Sequence, residues 1–249
     1  MFDSRHRPEL GSAEHDEMEA YRTAYMSIVG GLLWLANMTF PELSYPASQL
    51  ARFLTNPGMQ HYQAAMRVLT YVSQSRARRL RFAPDATRGF EVYVDSNWAT
   101  RFSCSGAMFF FHGCLFHWFS KMQHSVSLSS AEAEFFGAML AAKDLLFLRD
   151  LFTALGIGLG GATVVYSDSK SAVDMSLDPI AFKNTKHILR AAEFLRDLVA
   201  KEEVLRLEHI SGTYMLADLL TKAVSRPIFL QLMALLDDYA RTGVNALHF

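Results

Sequence analysis

Apolar positions recur with a helical period through the first third of the chain. Ala47, Leu50, Ala51 and Leu54 fall at i, i+3, i+4 and i+7, and Ala65, Val68, Leu69 and Val72 repeat that spacing. Pro41 stands where a first-turn proline belongs, and Asn56-Pro57 offers a cap and a first-turn proline ahead of the second run. Three short helices are predicted, near 22–37, 42–54 and 57–73, behind a polar, flexible tail over residues 1–20. The period changes after the basic connector Arg76-Ala-Arg78-Arg79-Leu80-Arg81. Phe90–Asp95 alternates in twos, so Asp95 is placed at the end of a strand. Ala107–His112 and Cys114–Phe119 are aromatic-rich runs on either side of Gly113, which predicts a hairpin, with Ser125–Leu128 as a short edge.

Ser129-Ser-Ala-Glu132 has the form of a capping box opening a long helix to about Leu155, ended by the Gly-rich loop 156–161. Thr163–Ser167 reads as a buried strand, followed by helices at 169–177 and about 185–201. Val204–Ile210 is a strand, and helices follow near 214–223 and 226–240. Antiparallel strands followed by alternating helices and strands predict an α/β fold with a mixed sheet, because a purely parallel doubly wound sheet does not begin with a hairpin.

Composition narrows the picture only modestly. At 51% hydrophobic and 20% charged the chain is ordinary globular material, which excludes a disordered or fibrous protein. Lys plus Arg is 24 against 25 Asp plus Glu, so a uniformly basic nucleic-acid wrapper is excluded while a local basic face is not. Two cysteines make no disulfide framework, and reduced thiols point to an intracellular protein. The longest apolar stretch, Ile28–Ala36, is far short of the roughly 20 residues that span a membrane, and the charged first twenty residues hold no signal peptide.

Four carboxylates stand out by position. Asp95 and Asp168 each close a predicted strand, Glu134 sits in the first turn of the long helix, and Asp218 lies near the start of a late one. Two strand ends and two helix starts can converge on one sheet edge, where clustered carboxylates call for Mg²⁺. Each also has a plainer reading. Asp168 can cap the helix after it, and Asp218 with Lys222 can form a solvated i, i+4 pair. Glu132 is the capping-box partner of Ser129, which leaves Glu134 free to point elsewhere.

Several tracts occur in one order: Tyr93-Val-Asp95-Ser-Asn97-Trp98-Ala99, Ser105-Gly106-Ala-Met-Phe-Phe, Trp118-Phe-Ser-Lys121-Met-Gln123, Leu128-Ser-Ser-Ala-Glu132-Ala-Glu134-Phe, Tyr166-Ser-Asp168-Ser-Lys-Ser-Ala172, Thr185-Lys186-His187 and Leu216-Ala-Asp218-Leu-Leu-Thr-Lys222. Together they resemble the ribonuclease H region of copia-type long-terminal-repeat retrotransposon Pol polyproteins. Upstream, Tyr25-Met-Ser-Ile-Val-Gly30, Phe40-Pro41-Glu-Leu-Ser-Tyr45 and His61-Tyr-Gln-Ala-Ala-Met-Arg67 are similar to the end of that family's reverse transcriptase.

The resemblance implies an RNase H-like mixed sheet flanked by helices, with an N-terminal helical subdomain. It implies a reverse-transcriptase thumb or connection segment over 21–82, an RNase H domain over 83–225, and a C-terminal helix and tail over 226–249. It implies hydrolysis of the RNA strand of RNA–DNA hybrids by two Mg²⁺ ions, or Mn²⁺, held by Asp95, Glu134, Asp168 and Asp218. His209 is a candidate proton-transfer group, and Arg76, Arg78, Arg79, Lys183, Lys186 and Arg190 are candidate phosphate contacts. Other implied partners are the fingers and palm of the same polyprotein, and the implied setting is a cytoplasmic particle or the nucleus. The family's polymerase Asp-Asp pair is absent, so polymerase activity is not expected of this chain. Asn97 stands where the family usually has a second Asp, Met122 where it has Lys, and Arg101-Phe-Ser-Cys104 is atypical. Those departures keep an alternative open: a decayed or domesticated remnant that binds nucleic acid or a partner without cutting.

Overall fold

Helix α1 spans Ala13–Met38 and starts well before the apolar pattern alone suggests. The computed structural model describes residues 7–99, 103–123, 127, 129–177, 193–201 and 203–242. Residues 13–20 are therefore not part of a flexible tail. The Ser12 side chain accepts from the His15 N–H at 3.2 Å, and Glu14 and Asp16 sit at the positive end of the helix. Met18, Tyr25, Val29, Leu32 and Ala36 then form one buried stripe, of which Met18 holds the early turns down.

The chain divides into two compact units, Met1–Leu80 and Arg81–Phe249. In the first, α1 is followed by a 3-10 turn at Pro41–Leu43, α2 at Ser44–Ala51 and α3 at Met59–Gln74. The Tyr25 hydroxyl donates to the Leu50 carbonyl at 2.7 Å, which ties α1 to α2 inside a core containing Val29, Leu32, Leu43, Ala47 and Ala65. The α3 cap differs from the expected Asn56-Pro57. The cap residue is Gly58, whose N–H donates to Nδ1 of His61 at 2.8 Å, while the Asn56 amide is spent on the Pro8 carbonyl at 3.0 Å.

The second unit is built on a five-stranded sheet ordered β3-β2-β1-β4-β5. The strands are β1 Phe90–Asn97, β2 Cys104–Phe111, β3 Cys114–Met122, β4 Thr163–Ser167 and β5 Leu205–His209. The β1–β2 and β2–β3 pairs are antiparallel; β1–β4 and β4–β5 are parallel. This is the mixed sheet the sequence predicts, antiparallel hairpin strands followed by parallel ones. The turn between β2 and β3 has His112 at φ 50° and Gly113 at φ 77°, the doubled left-handed geometry that follows the natural twist of a hairpin. Helix α4, Ser130–Ala154, covers one sheet face: Phe135, Ala138, Ala142 and Leu145 pack with Phe90, Val92, Val94, Phe109 and Val165.

Helix α5 spans Lys170–Leu177, and a helical stretch is described at 193–201. The helix expected at 214–223 is instead a 3-10 turn at Gly212–Tyr214 and a short α6 at Asp218–Thr221, with α7 at Arg226–Thr242. Met215–Thr221 is buried at every position, so tertiary packing rather than an amphipathic period shapes it. Ser125–Leu128, apart from Ser127, and the start of the helix expected at 185 lie outside the described residues. Among the described residues no helix is long and apolar enough to cross a membrane.

Candidate active site

The parallel register of β1 and β4 creates the site. Their last aligned pair is Tyr93 and Tyr166, and two residues beyond each come Asp95 and Asp168. Asp95 does not end its strand. Strand β1 continues to Asn97, so Asp95 lies inside it, opposite Gly106 of β2. Alternation along β1 sends Val92, Val94 and Ser96 toward α4, and Asp95 and Asn97 toward α6, where the Thr221 hydroxyl donates to Asp95 Oδ2 and the Asn97 amide donates to the Thr221 carbonyl at 3.4 Å.

Gly106 makes room for that docking. A Cβ there would stand 2.6 Å from Leu220 Cβ and 2.9 Å from Thr221 Cγ2. Helix α4 brings Glu134 in from the other face. The Ser129 hydroxyl accepts from the Glu132 N–H at 3.2 Å and sets the helix start, and Glu134 Oε2 accepts from the Ser96 N–H at 3.0 Å.

Carboxylate oxygens of Asp95, Glu134 and Asp168 all lie within 4.8 Å of one another. Asp168 is free to join them because the α5 cap is its neighbour: Ser169 Oγ accepts from the Ala172 N–H at 3.2 Å. Asp218 sits beside this group, 2.7 Å by Oδ1 from Lys222 Nζ, and that nitrogen is also 3.6 Å from Asp95 Oδ2. His209 ends β5, opposite Ser167, and its charge favours ionised Asp168. Gly212 approaches the same carboxylate so closely that a Cβ would be 3.3 Å from Asp168 Oδ2.

The electrostatics follow from crowding. Burial, then the charges of Asp95 and Asp168, pushes the Glu134 carboxyl up to about 9. Burial and Asp95 push Asp218 up to about 7 against the pull of Lys222, and burial with Asp95 raises Asp168. Burial alone would lower the Lys222 ammonium, but Asp95 and Asp218 outweigh it and hold it above its ordinary value. One ammonium among four carboxylates leaves an excess of negative charge. A donor set of carboxylate oxygens is the hard-ligand environment that suits Mg²⁺ or Mn²⁺.

Sequence reasoning missed Thr221 as the hydroxyl that orients Asp95, and it read Lys222 only as a helix-surface partner of Asp218. The Leu216-Ala-Asp218-Leu-Leu-Thr-Lys222 tract contained both residues, but not the contact with Asp95. Of the basic candidates, the described residues include Arg76, Arg78 and Arg79. The Arg78 guanidinium is 3.5 Å from Oε1 of buried Glu42, which also accepts from the Tyr71 hydroxyl at 2.9 Å, so Arg78 serves its own unit's interior. Arg79 donates to the Arg78 carbonyl at 2.7 Å, and Arg76 is exposed. Lys183, Lys186, His187 and Arg190 lie outside the described residues.

No family model matches the chain. The Pol polyprotein from transposon TNT 1-94 of Nicotiana tabacum is 33% identical over 212 residues, covering 84% of this chain and 16% of that protein. The Pol polyprotein from transposon RE1 of Arabidopsis thaliana is 32% identical over 211 residues, 83% of this chain and 14% of its own length. A secreted RxLR effector protein of Plasmopara viticola is 34% identical over 128 residues, half of this chain and 90% of that protein. Similar solved structures include the RNase H domain of a Mycobacterium tuberculosis protein, at 15% identity and TM-score 0.41 over 62% of this chain and 98% of that one. An RNase H1 in complex with an RNA/DNA hybrid is 18% identical, with TM-score 0.41, over 53% of this chain and 93% of that one. The homologues of this chain are thus retrovirus-related Pol polyproteins from plant transposons, matched over most of its own length and over 14–16% of theirs.

Proposed function

We propose that the second unit is a divalent-metal-dependent ribonuclease H that hydrolyses the RNA strand of RNA–DNA hybrids as part of a retrotransposon polyprotein. The observation that carries this reading is the meeting of Asp95, Glu134 and Asp168 oxygens within 4.8 Å at the end of a parallel strand pair, with Asp218 alongside. Asp95, Glu134, Asp168 and Asp218 would hold two Mg²⁺ ions, or Mn²⁺. When bound, such a pair supplies an activated water and stabilises the charge on the leaving 3′ oxygen.

The chain's own groups do the rest. Thr221 fixes the Asp95 carboxylate, and the Ser96 N–H fixes that of Glu134. Lys222 tempers the repulsion between Asp95 and Asp218. His209, exposed at the end of β5, is proposed to move a proton at the leaving oxygen. Arg76, with Lys183, Lys186 and Arg190, is proposed to meet backbone phosphates, which carry most of the affinity of such complexes. The helical unit is assigned to the thumb or connection of a reverse transcriptase, with the fingers and palm of the same polyprotein as its partner.

The test is a labelled hybrid incubated with the full chain in Mg²⁺ and in EDTA. Endonucleolytic cuts confined to the RNA strand, present in Mg²⁺ and absent in EDTA, are expected. An intact hybrid in saturating Mg²⁺ counts against the enzyme and favours the second reading, a non-cleaving module that binds nucleic acid or a partner. That reading is favoured by Asn97 and Met122, which depart from the residues the family usually has there.

A further inference from the structure

The tract Trp118-Phe-Ser-Lys121-Met-Gln123 ends on an amide that is 4% exposed, just past the end of β3. Both donors of that amide and its carbonyl oxygen have partners, each on a different segment. Gln123 Nε2 donates to Ser105 Oγ on β2 at 2.8 Å and to the Ala133 carbonyl in the first turn of α4 at 2.8 Å. Its Oε1 accepts from the Ser127 hydroxyl at 2.9 Å.

Two of these bonds belong to a closed ring. The Ser105 hydroxyl is paired with the Ser96 hydroxyl at 2.9 Å, and the Ser96 N–H donates to Glu134 Oε2 at 3.0 Å. The Ala133 carbonyl belongs to the peptide bond that leads into Glu134. The circuit therefore leaves Glu134 by its carboxylate, passes through Ser96, Ser105 and Gln123, and returns to its backbone. Gly137, one turn along α4, lets the ring close: a Cβ there would stand 2.1 Å from Ser96 Oγ and 3.3 Å from Ser105 Oγ.

We propose that Gln123 is a positioning residue, which through this ring holds the Glu134 carboxylate against the repulsion of Asp95 and Asp168 and so shapes the metal-binding group. The inference rests on the nuclease reading for its consequence, and on the ring alone for its geometry. The head of Glu134 is tied by the Ser96 N–H and its backbone by Gln123, so both ends of the Glu134 side chain are fixed beside Asp95 and Asp168. Cutting the ring at Gln123 leaves the Ala133 carbonyl with its helical partner alone and the Ser105 hydroxyl with Ser96 alone, and frees the start of α4 to shift. Partners one shell beyond a ligand typically matter about 10–100-fold for metal affinity.

The experiment uses the full chain without nucleic acid. Mn²⁺ affinity is measured by calorimetry, the Ser96 amide by hydrogen exchange, and thermal unfolding in EDTA. Gln123→Met keeps the length and removes both donors; Mn²⁺ affinity is expected to fall about 10-fold or more, with lost protection at the Ser96 amide. Ser105→Ala opens the same ring by one oxygen and is expected to do likewise, which keeps the test decisive if the Met variant fails to fold. Ser127→Ala removes only the bond outside the ring. It should lower the unfolding temperature while leaving Mn²⁺ affinity unchanged, a separation that a merely structural Gln123 would not give. Mn²⁺ binding by Gln123→Met or Ser105→Ala as tight as that of the unaltered chain overturns the proposal. Failure of the unaltered chain to bind Mn²⁺ overturns the nuclease reading instead, and the Ser96 amide then reports whether Gln123 still holds Glu134.

Discussion

The ammonium of Lys222 lies 2.7 Å from Oδ1 of Asp218, one helical turn away in sequence. On an exposed helix such a pair contributes a few tenths of a kcal/mol. Here α6 is docked on the sheet, and the same nitrogen is 3.6 Å from Asp95 Oδ2, so the pair is part of an acidic cluster. A single ammonium does not neutralise four carboxylates, and the remaining repulsion has measurable consequences.

Metal-free protein should lose stability as pH rises. The folded-state carboxyls of Glu134 and Asp218 sit at about 9 and about 7, above their ordinary values, so the folded chain holds protons that the unfolded chain has already released. Stability is then full below the ordinary carboxylate range and declines as pH climbs through these raised values. Scanning calorimetry in EDTA should show the midpoint falling between about pH 5 and pH 9. Saturating Mg²⁺ should raise the midpoint more at pH 8 than at pH 5.5, because more carboxylates are open to it. A flat profile in EDTA would show that these groups are not crowded in solution.

Asp168→Asn should abolish RNA-strand cleavage while the chain stays folded. The near-isosteric amide keeps the shape and removes a negative charge from the metal-binding group. Because Ser169 rather than Asp168 caps α5, no cap is lost, and thermal stability in EDTA should hold or rise as repulsion eases. Near-normal cleavage by this variant in saturating Mg²⁺ would remove Asp168 from the site.

Asn97→Asp should alter cleavage only modestly, within about threefold, and should destabilise the fold by roughly 0.5–1.5 kcal/mol. The Asn97 amide is a donor to the Thr221 carbonyl at 3.4 Å, a role a carboxylate cannot take, and Thr221 in turn orients Asp95. Urea unfolding and single-turnover rates measure the two effects. A large gain in rate on introducing the acid would mean that the site lacks a ligand as it stands.

Gly106→Ala should destabilise the protein by about 1–3 kcal/mol, since the added methyl meets Leu220 Cβ at 2.6 Å and Thr221 Cγ2 at 2.9 Å. Relief of that clash moves α6 off β2 and with it the hydroxyl that fixes Asp95. Cleavage should fall further than stability alone explains, which comparison of activity at temperatures well below the unfolding midpoint would reveal.

Much of the fold was legible in the chain because local physics decided it. The hairpin followed from two aromatic runs about Gly113, and the long helix from Ser129 and the residues after it; both formed where the pattern placed them. Asp95, Glu134 and Asp168 were visible as carboxylates near strand ends and a helix start, though Asp95 lies within a longer β1. The errors fell where a neighbour outside the local window intervened. Burial of Met18 in the helical core held the charged turns of residues 13–20 in α1, the Pro8 carbonyl drew the Asn56 amide away from the start of α3, and burial on all sides broke the expected 214–223 helix into two pieces.

What the amino-acid sequence determined by itself was the identity and order of the elements, because period, caps and turn residues act within a few positions. What only the tertiary structure decided was which side chains share a space. The parallel pairing of β1 with β4 sets Asp168 beside Asp95, the small size of Gly106 and Gly137 lets α6 and α4 approach, and Thr221, Lys222 and Gln123 acquire their roles only through those approaches. Asp95 and Thr221 stand 126 positions apart, and no periodicity in a chain encodes a contact that depends on how closely α6 can approach Gly106.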